Sequence, residues 1–310
     1  MSAGPGSERT RLAVAGARAT TLGALARQPR GDLVRGRLFY AGLLLALGVG
    51  LLGLVMLIGD ALVDGWPRLG FDLLTEKGSG NPEIAGLQSA ILGTIYLIGG
   101  VLVTVVPVGL GAAIYLEEYA DESRWWNRAI ELNVQNLAAV PSIVYGILGL
   151  AFIVRGPLSL GFIVVAGSLT LGLLVLPTVI LAAREALRSV PSSIREGALA
   201  LGATRWQTIR RQVLPVAVPG IVTGVILAVS RAIGETAPLL LVGAATFVTF
   251  NPQPFDGGYS ALPVQIFQWV TRPQDEFRTL AAAGIVIMLV LLLAMNSFAI
   301  WLRNRYERQF

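Results

Sequence analysis

Cysteine and histidine are absent from this 310-residue chain, and lysine is nearly absent. Without thiolate or imidazole groups the chain has no Cys–His nucleophile pair, no Ser–His–Asp triad and no thiolate or imidazole metal ligand. Its single lysine, Lys77, lies in the tripeptide Glu76-Lys77-Gly78, whereas a phosphate-binding P-loop needs Gly-Lys-Ser/Thr. We therefore expect no catalytic residue, no metal site and no bound cofactor in this chain.

Charge is also scarce. Only 14% of the residues are charged, against about a quarter in soluble domains, while 54% are hydrophobic. The mean hydropathy is +0.68. These values favour a membrane protein over a soluble one. The distribution of the +5 net charge along the chain does not suggest nucleic acid, so we expect contact with lipid and no nucleic-acid partner.

Six long uncharged stretches follow one another along the chain. Each is near or above the length of about 20 residues that a helix needs to cross a bilayer, and backbone groups in hydrocarbon must bond within the helix. We therefore expect an all-α membrane protein with six transmembrane helices. The expected spans are residues 38–59, 84–116, 132–154, 156–183, 212–230 continuing towards 243, and 279–302.

Arginine and lysine are unevenly shared between alternate connecting segments. With the N-terminus inside, the inner segments hold 18 of them and the outer segments five, and only Arg231 lies within a span. Because basic residues concentrate on the cytoplasmic side, both termini are predicted to be cytoplasmic. We expect an arginine-rich tail at 1–37, a transmembrane domain at 38–302 and a short cytoplasmic end at 303–310, in the inner (cytoplasmic) cell membrane.

The segment between the fourth and fifth spans is charged and amphipathic. Ser193-x-x-Glu196 and Thr204-x-x-Gln207 are capping-box patterns, which predict two short helices separated by a glycine elbow at Gly202. The apolar faces comprise Ile194, Ala198 and Leu201 in the first helix and Trp206, Ile209 and Val213 in the second. Such a hairpin either packs under the chain's own bundle or presents a helix to a partner's groove, and the pattern leaves both open.

One ion pair is expected inside the membrane. Arg231 lies eleven residues beyond Gly220, where we expect the fifth span to begin, which places it near mid-bilayer at about 1.5 Å per residue. Glu235 follows four residues later, on the same helical face. A charge at this depth has to face protein or a water-filled path, so the pair is either a structural lock or a functional site. A guanidinium forks onto oxyanions, and a nearby carboxylate weakens its hold enough for an anion to enter and leave.

The charged loop resembles that of the permeases of ATP-binding-cassette (ABC) importers. The matching residues are Glu196-Gly197-Ala198, Gly202 and Leu214-Pro215, at the family's spacing but with Gly197 and Gln212 replacing the usual Ala and Ile. In that family the loop docks into a cleft on a separate cytoplasmic ATPase. The resemblance therefore implies a type I ABC importer permease fold, with a coupling loop at residues 185–215 that includes Trp206.

A longer resemblance points to one subfamily. Residues 230–241 (SRAIGETAPLLL) resemble the phosphate-specific importer permeases of the PstA type, supported by residues 141–146 (PSIVYG) and 262–267 (LPVQIF). The resemblance implies a non-catalytic subunit with Arg231 and Glu235 in the phosphate path. It also implies three partners: a homologous permease subunit in a heterodimer, a dimer of ATPases that uses Mg-ATP, and an extracytoplasmic phosphate-binding protein.

Several alternatives stay open. A permease for another oxyanion, sulfate or molybdate, would share the architecture. A secondary anion carrier or channel would need no ATPase but leaves the coupling loop unexplained, and a membrane-embedded enzyme is disfavoured by the missing histidine and cysteine. One departure also stays open: some family members carry a basic residue where this chain has Leu181, and Arg184 lies three positions later.

Overall fold

The computed structural model describes residues 30–121, 123–244 and 248–307. The predicted N-terminal tail lies outside the described residues up to position 29, as do residues 308–310 of the predicted C-terminal segment. Positions 30–37, which we also assigned to the tail, instead form the start of the first helix.

All regular structure in the described residues is helical, and this part of the chain contains no strand. In chain order the α-helices are α1 (Arg30–Gly65), α2 (Phe71–Thr75), α3 (Gln88–Ile114), α4 (Trp125–Ala138), α5 (Ser142–Leu148), α6 (Val164–Arg188), α7 (Ser192–Ala200), α8 (Arg205–Thr208), α9 (Leu214–Gly234), α10 (Ala237–Leu241), α11 (Leu262–Val270) and α12 (Asp275–Glu307). π-helical turns extend α3 at Tyr115–Tyr119, extend α5 at Gly149–Val154 and join α8 to α9 at Ile209–Val213. Two 3-10 turns, Trp66–Arg68 and Pro82–Ile84, lie between α1 and α3.

Among the described residues, five helical segments are long and apolar enough to cross a membrane. They are Val34–Arg68, Gln88–Tyr119, Val164–Arg188, Arg205–Gly234 and Asp275–Arg305. A bent pair, Trp125–Ala138 with Ser142–Val154, passes the same test at an angle of 107°. With this pair counted as one span, the predicted all-α membrane fold with six transmembrane helices is confirmed.

The third span, expected at residues 132–154, is two helices with a break between them. It breaks at Pro141, because proline lacks an amide N–H and disfavours α conformation in the residue before it. The Tyr145 hydroxyl donates to the Leu137 carbonyl at 2.8 Å across the break. The same carbonyl also accepts from the Val140 N–H at 3.1 Å. The bond from Tyr145 therefore adds a link between α4 and α5, which stabilises the bend.

The fourth span also begins later than expected, at Val164 instead of residue 156. The residues before it turn tightly, with positive φ angles of 44° at Ser159 and 75° at Gly161. Such conformations are incompatible with a right-handed helix. The apolar composition of residues 156–163 therefore belongs to a loop that leads into the span.

The fourth span, α6, packs against both α3 and α9. Small residues permit the close approach. A Cβ atom at Gly109 of α3 would come within 2.8 Å of Val179 Cγ1, and one at Gly220 of α9 within 2.8 Å of Ala186 Cβ. Three spans thus form the centre of the buried core.

The chain divides into two compact units, one up to Asp60 and one from Ala61. The described part of the first unit is most of α1, and from Val34 onward its side chains are mostly exposed. The second unit contains the other helices and the buried core.

Candidate anion path and coupling loop

Arg231 lies in the last turn of α9, where the backbone of the fifth span leaves the helix. α9 ends at Gly234, Glu235 is extended (φ −76°, ψ 120°), and α10 begins at Ala237 with Pro238 in its first turn. Glycine weakens a helix and proline suits a first turn, so the sequence favours a break at this point. The expected shared helical face is therefore wrong, because Glu235 follows the helix.

The two side chains meet nonetheless. Arg231 Nε donates to Glu235 Oε1 at 3.4 Å. The side chain of Arg231 is 42% exposed and that of Glu235 is 17% exposed. No described residue accepts a hydrogen bond from either Nη atom of Arg231 or donates one to Oε2 of Glu235. Most of the guanidinium N–H groups and one carboxylate oxygen are therefore available to a ligand.

Neighbouring helices hold this break in place. A Cβ atom at Gly146 of α5 would come within 2.7 Å of Pro238 Cα, so two of the segments that carried the resemblance, residues 141–146 and 230–241, meet in space. Ser230 Oγ donates to Asn296 Oδ1 of α12 at 2.6 Å, next to Arg231 in sequence. Asn296 was not predicted, although an amide side chain within a long apolar stretch was an available signal.

The third segment that carried the resemblance packs elsewhere. It forms α11, where the Leu262 N–H donates to Thr94 Oγ1 of α3 at 2.9 Å and Gln265 Oε1 accepts from Ser260 Oγ at 3.2 Å. Trp269 of α11 is fully buried in a cluster with residues of α12. This segment packs between the second and sixth spans.

The first helix of the coupling loop starts earlier than predicted. Pro191 precedes it with φ −56° and ψ 138°, and the helix begins at Ser192. Ser193 is then already helical, so the predicted capping box with Glu196 is wrong. The elbow is confirmed: α7 ends at Ala200, and Gly202 has φ +84°, a left-handed conformation that glycine adopts readily.

The second helix of the loop starts at the predicted capping box. Thr204 Oγ1 accepts from the Gln207 N–H at 3.3 Å, and Gln207 Oε1 accepts from the Thr204 N–H at 2.9 Å. This helix is not separate from the fifth span, because α8, the π turn Ile209–Val213 and α9 follow one another without interruption. The fifth span therefore begins at Arg205, before both residue 212, where its apolar run starts, and Gly220, from which the depth of Arg231 was estimated. Arg231 accordingly lies in the last turn of this span and not near its middle as expected.

The coupling loop has a buried base and an exposed tip. Ile209 and Val213 are buried, whereas Leu201 is 90% exposed and Trp206 is 52% exposed. The other residues that match the ABC-importer motif are exposed or half-buried, namely Glu196, Gly197, Ala198, Gly202, Leu214 and Pro215. Part of the loop thus packs under the chain's own bundle, as one interpretation expected, and its tip is exposed.

A charged cluster that was not predicted lies at the end of α3. Arg184 is buried and donates to Glu131 Oε1 at 2.9 Å and to Glu117 Oε2 at 3.4 Å. Glu118, which follows Glu117 in the sequence, pairs with Arg195 of the coupling loop at 2.7 Å. Two adjacent glutamates directly after an apolar run were the available signal. Arg184 is thus held in ion pairs between spans.

Comparison with known proteins agrees with this architecture. Residues 105–308 match the family described as binding-protein-dependent transport system inner membrane component. The chain is 37% identical over 262 residues to phosphate transport system permease protein PstA of Mycobacterium leprae, covering 81% of this chain and 82% of that protein. It is 36% identical over 250 residues to PstA 1 of Mycobacterium tuberculosis, covering 78% and 80%.

The fold resembles a solved structure as well. A chain of a bacterial alginate ABC transporter, in complex with an alginate pentasaccharide-bound periplasmic protein, superposes with a TM-score of 0.62 at 18% identity, covering 86% of this chain and 94% of that chain. The expected resemblance to PstA-type permeases is confirmed by the two mycobacterial relatives. The chain belongs to the family of binding-protein-dependent transport system inner membrane components.

Proposed function

We propose that this chain is the transmembrane permease subunit of an ATP-driven importer of inorganic phosphate. Two of its relatives, at 36% and 37% identity, are named phosphate transport system permeases. The structural observation that carries the proposal is Arg231, which lies at the break in the fifth span with neither Nη atom bonded to a described residue.

Arg231 has the chemistry of a transient oxyanion site. Its planar guanidinium presents paired N–H donors that match two oxygens of a tetrahedral anion. The carboxylate of Glu235, 3.4 Å from Nε, offsets part of the attraction. An anion held too tightly would not leave, so the pair suits passage better than storage.

Glu235 also favours phosphate over sulfate. At neutral pH inorganic phosphate retains at least one proton and can donate a hydrogen bond, whereas sulfate is fully deprotonated. Oε2 of Glu235, to which no described residue donates, has lone pairs that can accept such a bond. Sulfate has no proton to donate, so it meets the same carboxylate only as a like charge, which disfavours binding.

The coupling loop is the proposed contact with the ATPase. Its tip exposes Leu201 and Trp206 around an elbow at Gly202, which is suitable for an apolar groove on a partner. Separate ATPase subunits would bind Mg-ATP and supply the free energy, so this chain performs no bond chemistry. Their closure would reach the fifth span directly, because the loop continues into α9 without a break.

The remaining partners complete the path. A homologous permease would form the other half, and an extracytoplasmic phosphate-binding protein would deliver the anion to the outer mouth. With both termini cytoplasmic, as the distribution of basic residues predicts, the coupling loop faces the ATPases. The complex is placed in the cytoplasmic membrane, with this chain as a multi-pass subunit.

Co-purification and reconstitution test the proposal. The chain is co-expressed with the homologous permease, the ATPase and the binding protein, and the complex is placed in liposomes. We expect the binding protein to stimulate ATP hydrolysis when loaded with phosphate and not when supplied with sulfate.

Three outcomes would contradict the proposal. Equal stimulation and uptake with sulfate would make the chain a broader oxyanion permease. Uptake driven by an ion gradient without ATP would make it a secondary carrier. A chain that binds no ATPase would leave the coupling loop without its proposed role.

A further inference from the structure

The π-helical turn Tyr115–Tyr119, at the end of the second span, contacts both helices of the coupling loop. Arg195 of α7 pairs with Glu118, and Arg205 of α8 lies over the ring of Tyr119 at 5.2 Å from its centroid. π-helical turns inside α-helices are frequent at functional sites. Two independent side-chain contacts thus join the loop to one turn of one span.

Arg195 makes the stronger of these contacts. Its Nε donates to both carboxylate oxygens of Glu118, at 3.1 and 3.3 Å, and its Nη2 donates to Oε1 at 2.7 Å. The same guanidinium donates to the carbonyls of Leu187 at 2.8 Å and Val190 at 2.7 Å, at the end of the fourth span. Only 7% of Glu118 is exposed. One side chain therefore ties the loop to the second and fourth spans.

The second span needs such a tie because it has no direct chain connection to the loop. The fourth span leads into the loop at Ser189 and the fifth span leaves it at α9, so loop motion reaches both along the backbone. Ala113 of the second span and Val213 of the loop share a buried apolar cluster. Apolar contact is non-directional and permits sliding. A multiply hydrogen-bonded ion pair fixes both distance and direction.

We propose that the Glu118–Arg195 ion pair, assisted by Arg205 on Tyr119, is the joint through which the coupling loop moves the second span. The inference rests on the proposed function of the loop. Both residues are positioning residues, because they touch neither the anion nor the nucleotide. Lysine at position 195 would retain the charge but not the planar fork that reaches a carboxylate and two carbonyls at once.

The test measures how many ATP molecules are hydrolysed per phosphate imported by the complete importer in liposomes. The variants are Arg195→Lys, Glu118→Gln and Arg205→Gln. The control is Arg124→Lys, which alters an exposed pair with Asp121 at 3.5 Å in a neighbouring segment. We expect Arg195→Lys and Glu118→Gln to assemble, to hydrolyse ATP and to import about tenfold less phosphate per ATP, the scale of a typical coupling free energy.

Arg205→Gln tests the joint without risk of misfolding from an unpaired buried charge, because Arg205 is exposed. We expect this variant to lower the import-to-hydrolysis ratio several-fold and Arg124→Lys to leave it unchanged. If the ratio of phosphate imported to ATP hydrolysed were unchanged in all the variants, the proposal would be contradicted. A smaller amount of assembled complex, with unchanged import per complex, would also contradict the proposal, because the ion pair would then have only a structural role.

A distance measurement separates failure of the joint from failure of the proposed function. Because the chain has no cysteine, spin labels can be placed at Ala200→Cys in the loop and Val108→Cys in the second span. We expect a narrow distance distribution that broadens with Arg195→Lys and not with Arg124→Lys, whatever substrate the complex carries. An unaltered distribution in Arg195→Lys would overturn the joint even if phosphate import were confirmed.

Discussion

Replacing Glu235 by glutamine would remove the negative charge beside Arg231 and keep the shape of the side chain. Two unit charges 3.4 Å apart interact by about 5 kcal/mol at an effective dielectric constant of about 20. Because the Arg231 side chain is 42% exposed, solvent screens most of this, and about 1–2 kcal/mol remains to oppose a bound anion. The Glu235→Gln variant should therefore hold the anion about five- to thirtyfold more tightly.

The assay is initial-rate phosphate uptake by the reconstituted importer, with KM and maximal rate measured separately. We expect KM to fall and the maximal rate to fall as well, because release from Arg231 becomes slow. Sulfate should become a competitor, because the repulsive carboxylate is gone. Glu235→Asp, which keeps the charge, is the matched control. A KM that rises or stays constant, with sulfate still excluded, would refute the reasoning.

Four further substitutions have defined expectations. Arg231→Gln should abolish uptake while the complex assembles in normal amounts by size-exclusion chromatography; lost assembly would mean a structural lock. Gly224 packs so closely against Ala182 of the fourth span that a side chain does not fit, whereas Gly99 has open space around it. Gly224→Leu should therefore destabilise the complex by about 1–3 kcal/mol in thermal unfolding, and Gly99→Leu should not. Gly202→Ala, at φ +84°, should strain the elbow by about 1–2 kcal/mol and lower ATPase stimulation, and Gly202→Asn should restore part of it. Asn296→Ala should slow uptake several-fold by removing the bond that joins α9 to α12 beside Arg231, and unchanged uptake would dismiss that contact.

The spans could be predicted from the sequence because the length of an apolar run is a local property. Their ends could not. Residues 156–163 are as apolar as a span, yet positive φ angles at Ser159 and Gly161 make them a loop. Pro141 is visible in the sequence as a source of a bend, but the 107° angle of the bend depends on how the two helices pack. The start of the fifth span was missed because α8 and α9 join through a π turn.

The candidate site was partly predictable because some of its features are also local in the sequence. Arg231 and Glu235 stand out because they are charges in an apolar run. Their pairing was expected from helical spacing, but it is made where the chain turns at the end of the helix. Gly202 was predictable because few other residues accept its backbone angles. The pair of Glu118 with Arg195 was not, since 77 residues separate its members and only the folded chain brings them together.

The predicted capping box at Ser193 failed for a local reason. Pro191 has an extended backbone and occupies the cap position, so the helix starts at Ser192. Ser193 is then already helical, whereas a capping residue needs a non-helical backbone. The equivalent pattern at Thr204 has no proline nearby and was confirmed. The proline two residues before Ser193 therefore accounts for the different outcome of two similar patterns.

The most direct measurement of the central claim is the position of phosphate in a structure of the complete importer with anion bound inside the membrane. The account predicts a tetrahedral anion within hydrogen-bond distance of the Nη atoms of Arg231, with one of its oxygens against Glu235. A path that passes elsewhere, with the Arg231 side chain turned to lipid or sealed among helices, would contradict it.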